Sequence, residues 1–158
     1  MPRLDLASIA VHMGSGYPAP FDQPVAGRER RRLGDAGGLT QFGVNLLRLP
    51  PGAWSSQRHW HSAEDEFVYV LSGELTLVTD AGAETLRPGD CIAFPKGRTD
   101  GHHLVNRGDV DATCLEVGSR VADTSIESAE RISYLGILLM NIDFTKPFRT
   151  ERQQLDRS

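Results

Sequence analysis

The chain has 158 residues, 39% of them hydrophobic and 24% charged, the make-up of one soluble globular domain with a full core and little room for a second. A formal net charge of −4 argues against a nucleic-acid-binding surface. The N-terminus MPRLDLASIAVHMGSG lacks the apolar stretch of a secretory signal, and ILLM within YLGILLMNI is far too short to span a bilayer. A cytoplasmic protein with no membrane partner is the expectation.

Residues 1–37 read as an extended N-terminal arm, because GSGYPAPFDQP is too rich in Gly and Pro for a regular helix. Its basic cluster, Arg28-Glu29-Arg30-Arg31-Arg32, reads as a solvated loop or helix end and not as an anion site. Short strand-like runs then fill residues 38–120. LTQFGVNLLRL stops at Pro50-Pro51-Gly52, and EFVYVLSG and ELTLVT follow. Asp80-Ala81-Gly82 supplies a tight turn before AETLRPGD, and CIAFPKG and TCLEVGS complete the series. ELTLVT alternates, as a strand with one wet face does, whereas EFVYVL does not and reads as covered on both faces. Phe67, Tyr69, Val70, Leu71, Leu75 and Leu77 are accordingly assigned to the core. Gly73 marks a turn or bulge, and Pro88-Gly89 has the composition of a type II turn. Cys91 and Cys114 lie in apolar runs and are expected as buried free thiols, neither paired nor ligating metal. No helical period lasts three turns before residue 121, and no internal duplication is visible. An all-β sandwich, jelly roll or barrel is implied, with 121–158 as a C-terminal extension whose last residues, RTERQQLDRS, read as mobile.

The chemistry gathers around His59-Trp60-His61 and Glu66. Side chains alternate along a strand, so His59 and His61 share one face while Arg58 and Trp60 take the other. Glu66 begins the next strand, and antiparallel neighbours would bring these three side chains to one mouth of a small barrel. His102, from the later run HHLVN, would complete a set of three imidazole nitrogens and one carboxylate oxygen. That set suits one divalent transition metal (Fe, Mn, Ni, Co or Zn) and is poor for Ca or Mg.

These residues fall into two spaced motifs by which the chain resembles the cupin superfamily. The first reads Gly52, His59-Trp60-His61, Glu66 and Gly73, with one residue more than the usual spacing between Gly52 and His59. The second reads Gly89, Pro95-Lys96-Gly97, His102 and Asn106, with a longer turn than is common between Gly97 and His102. The spacing to Asn106 favours His102 over His103 as the inward histidine. The resemblance covers about residues 38–120 and implies a single-domain double-stranded β-helix, a jelly-roll barrel. RHWHSAEDEFVYVLSGE and GHHLVN look like small bacterial cupins often labelled sugar-phosphate isomerases, although the fold hosts many activities.

Four ligands on a six-coordinate ion leave two positions for a chelating small molecule, such as a hydroxy acid or hydroxy ketone. Isomerase or lyase chemistry, iron-dependent dioxygenase chemistry, a non-catalytic binding module and a purely structural metal all remain open at this level. No catalytic acid or base is identifiable; Glu64, Asp65 and Asp100 read as exposed loop residues. A homodimer is expected, because closed symmetric pairs are the commonest oligomers.

Overall fold

The computed structural model describes residues 3–121. The expected C-terminal extension, with the mobility read into RTERQQLDRS, lies outside the described residues apart from Val121. Two antiparallel sheets face each other across the core. The arm contributes β1 (His12–Met13), β2 (Glu29–Arg32) and a single helical turn, α1 (Leu33–Ala36). Then come β3 (Phe42–Leu49), β4 (Glu66–Ser72), β5 (Leu75–Thr79), β6 (Gly82–Leu86), β7 (Cys91–Phe94), β8 (His103–Val105) and β9 (Ala112–Ser119). The larger sheet has the order β1-β2-β3-β9-β4-β7 and the smaller β6-β5-β8. Among the described residues no continuous ladder closes them, so the expected barrel is an open pair of facing sheets, the jelly-roll arrangement in sandwich form. Among the described residues no helix is long and apolar enough to cross a membrane.

Turn chemistry sets where strands stop. Pro50 and Pro51 end β3, since neither can donate to a ladder. At Pro88-Gly89 the Asp90 N–H donates to Arg87 O at 2.9 Å, and Gly89 takes φ +98°, which is the type II turn expected there. Gly73, at φ +69° between β4 and β5, has a second reason to be glycine. A Cβ placed on it would lie 2.5 Å from Asp111 O and 2.7 Å from Ala112 Cα.

The core between the sheets is built from Leu47, Leu49, Val68, Val70, Leu75, Leu77, Leu86, Leu104, Ala112 and Cys114, with Ile92 and Phe94 packed against it. The face assignments of β4 and β5 are the reverse of the sequence expectation. β5, expected to have a wet face, is buried from Leu75 through Val78. It is the middle strand of its sheet, and Trp54, bridged to Val105, adds cover beside β8. β4, expected to be covered twice, alternates: Val68 and Val70 point inward, while Phe67, Tyr69 and Leu71 are 39%, 39% and 42% exposed. Cys91, paired with Tyr69 on that outer face, is exposed and not buried as expected; Cys114 is buried, and both are free. The reason is geometric: an apolar run cannot announce that a sheet has only one neighbour.

The basic cluster also departs from expectation. Instead of a solvated loop, Glu29–Arg32 is strand β2, paired residue for residue with Arg48 to Asn45 of β3. Arg28 is buried at 7% exposure, its guanidinium donating to Gly14 O and Ser55 O. The arm thus extends the edge of the larger sheet.

Candidate metal centre

His59 and His102 are held opposite each other by the backbone. His59 N donates to His102 O at 3.2 Å and His102 N to His59 O at 2.8 Å, an isolated antiparallel bridge. Residues opposed in this way share a face, so both imidazoles enter the interior. His61 shares the parity of His59, and its carbonyl accepts from Gly97 N at 2.8 Å, tying it to the Pro95-Lys96-Gly97 turn. Glu66 opens β4 between Phe94 of β7 and Gly118 of β9. The Phe94 ring stacks on His102, with centroids 3.6 Å apart and planes 6° from parallel. His103, one residue on, takes the opposite face and stacks on Trp54 at 4.5 Å.

The four expected side chains therefore meet. His61 Nε2 lies 2.9 Å and His102 Nε2 3.2 Å from Glu66 Oε2, and His59 Nε2 lies 3.2 Å from His61 Nε2. One donor atom from each residue falls within 4.8 Å of all the others. Donors about 2.1 Å from one ion and cis to each other sit about 3 Å apart, so these separations fit a shared ion.

Protonation suits the same purpose. His59 Nδ1 lies 2.8 Å from Gln57 O, which can only accept, so Nδ1 carries the hydrogen and Nε2 offers its lone pair to the cluster. Burial lowers the His59 pKa to about 4, keeping the ring neutral. Burial pushes the Glu66 carboxyl up, but hydrogen bonds from His102 and His61 outweigh it and hold the group well below the usual carboxylate range. His61 is raised, chiefly by its hydrogen bond to Glu66.

Of the other acids considered, Asp65 accepts from Lys96 N at 2.9 Å and Asp100 from Asp80 N at 2.7 Å. Both brace loops, as expected. Glu64 comes within 3.8 Å of His61 Nδ1 from a partly exposed position. Sequence reasoning missed Glu116 of β9, which is buried on the interior face and paired with Arg30 at 3.3 Å. Burial raises its carboxyl above the ordinary range, with Arg30 opposing. A signal existed in TCLEVGS, where Glu116 shares the parity of core residue Cys114.

A two-sheet jelly roll carrying three histidines and one glutamate on its interior face has the make-up of a cupin. A model of the cupin domain matches residues 45–118. A sugar phosphate isomerase of the cupin superfamily from Silicibacter pomeroyi, solved as a crystal structure, is 56% identical with a TM-score of 0.74, covering 76% of each chain. This chain belongs to the cupin superfamily. It is also 38% identical over 85 residues to germin-like protein subfamily 2 member 1 of Arabidopsis thaliana and 37% identical over 93 residues to protein SchB of Streptomyces halstedii. Those matches span 37% and 64% of the relatives' own lengths.

Proposed function

We propose that this cupin is a metal-dependent enzyme acting on a small, polar, chelating substrate, sugar-derived or a hydroxy or keto acid, by isomerase or lyase chemistry. One observation carries the reading: His59, His61, Glu66 and His102 bring four unlike-spaced donors within 4.8 Å of one another. Three imidazoles and a carboxylate are a poor filling for an apolar interior and a good transition-metal set. A divalent metal held there would supply Lewis-acid stabilisation of negative charge on the substrate, with two positions left for chelation. The chain's own part is to fix the rings: Gln57 O orients His59, Phe94 flanks His102, and Glu66 gathers His61 and His102. The description carried by the Silicibacter protein supports isomerase chemistry over other reactions.

The test is metal content. Protein purified without added metal is expected to carry close to one transition-metal ion per chain, and His59→Ala and His61→Ala to carry none. Full occupancy in both variants by elemental analysis would refute the site. Oxygen uptake with chelating substrates would assign dioxygenase chemistry in place of isomerase or lyase chemistry. A homodimer belongs to the same proposal, with the apolar outer face of β4 supporting it.

A further inference from the structure

Glu116 shares the interior face of the donors and is paired with Arg30, and ligation gives neither a task. In the β4–β9 ladder Glu116 pairs with Val68, which is two residues from Glu66 on the same face of β4. Glu116 and Glu66 are therefore diagonal neighbours, roughly 7–8 Å apart along the interior face. Glu116 is not among the four donors that lie within 4.8 Å of one another, yet it shares their interior face. Arg30 arrives from β2, and its Nη2 lies 3.3 Å from Glu116 Oε2.

A purely structural ion pair in such a place would satisfy its remaining hydrogen-bonding groups. This one does not. Arg30 Nε is buried and has no hydrogen-bond partner among the described residues. A guanidinium N–H facing no acceptor is suited to a carboxylate or phosphate oxygen. Arg28 lies close enough to act electrostatically on both Arg30 and Glu116, and Glu66 acts on Glu116 as well, so two guanidiniums and two carboxylates share this corner.

We propose that Arg30 and Glu116 form the substrate-facing half of the site. Arg30 binds the anionic group, carboxylate or phosphate, of a hydroxy-ketone substrate, and Glu116 transfers a proton at the carbon beside its carbonyl. The inference rests on the metal-centred reading above. In the step, the C–H bond breaks and its proton passes to a Glu116 carboxylate oxygen. The electron pair forms the carbon–carbon double bond of an enolate, the negative charge moving to the former carbonyl oxygen. Return of the proton from Glu116 to the same carbon restores the ketone; if the neighbouring hydroxyl proton first passes to the enolate oxygen, return to the former carbonyl carbon gives the isomeric hydroxy aldehyde.

The experiment uses the full chain, its metal content measured first, and three probes: dihydroxyacetone phosphate, hydroxypyruvate and uncharged dihydroxyacetone. Calorimetric titration is expected to show a charged probe binding about tenfold or more tightly than the uncharged one, and Arg30→Met to remove that preference. The tighter of the two charged probes identifies the anion. Proton NMR in heavy water is expected to show exchange of the α-hydrogens, slowed about a hundredfold or more by Glu116→Gln while metal content and probe binding persist. Equal binding of all three probes by the metal-loaded wild type overturns the inference. So does absence of exchange by that protein, or exchange at the wild-type rate in Glu116→Gln. The wild-type comparison of probes decides the matter even where a variant fails to fold. A wild-type chain that takes up no metal overturns the metal-centred reading together with the inference, whereas failure on metal-loaded protein overturns the inference alone.

Discussion

Asn106 closes the second cupin motif, yet the structure gives it a bracing task that can be measured. It is fully buried, at 0% exposure. Its side-chain amide donates to Leu49 O at 2.7 Å and to Val110 O at 2.8 Å, and its Oδ1 accepts from Gly108 N at 2.9 Å. Its backbone pairs with Gly52 N at 2.8 Å and Ala53 O at 3.0 Å. One residue thus ties the Pro50-Pro51-Gly52 turn to the loop before β9, and proline supplies no N–H to replace the lost donor. Asn106→Ala removes three side-chain hydrogen bonds, each contributing about 1 kcal/mol net, and leaves buried carbonyls unpaired; a loss of about 3 kcal/mol is expected. Asn106→Asp keeps the shape but sets a carboxylate oxygen against two carbonyls, so it should cost at least as much. Urea unfolding followed by circular dichroism measures both variants, and metal per folded chain should match wild type, because Asn106 touches none of the four donors. A loss under about 1 kcal/mol for Asn106→Ala would refute the bracing account. Loss of metal from a folded variant would show instead that the motif asparagine acts on the site.

Gly73→Ala places a Cβ 2.5 Å from Asp111 O at φ +69°, so backbone must shift, and a loss of about 3 kcal/mol or more in chemical denaturation is expected; near-wild-type stability would mean that the β4–β5 turn yields easily. Burial raises the Glu116 carboxyl, Glu66 adding to the effect while Arg30, Arg28 and His61 oppose it. A carboxyl raised on folding contributes stability that is complete below its unfolded pKa and is lost as pH rises through the folded value. Glu116→Gln should therefore lose less stability than wild type as pH rises above the ordinary carboxylate range, and parallel urea-unfolding curves would refute this. If a second copy seats on the outer face of β4, Tyr69→Lys should shift a dimer toward monomer in sedimentation, whereas a wild type that is monomeric at high concentration would remove the dimer from the proposal.

Local rules made much of this protein legible in its sequence. Two-residue alternation is a covalent property of a strand, so His59 and His61 had to share a face, and His102 and His103 had to take opposite ones. Pro50-Pro51, Gly73 and Pro88-Gly89 likewise act through backbone geometry that needs no tertiary partner. Other features depend on what lies across the fold. Phe67, Tyr69 and Leu71 look the same in sequence whether a second layer covers them or not, and only the sheet order leaves them outside. The arginines of β2 resemble a solvated run until pairing with β3 carries Arg30 across to Glu116. Chain stereochemistry and spacing were enough to point to the donor set and to the turns. The tertiary structure decided which faces are covered and which charges meet inside, because burial and ion pairing belong to strands brought together from distant parts of the chain.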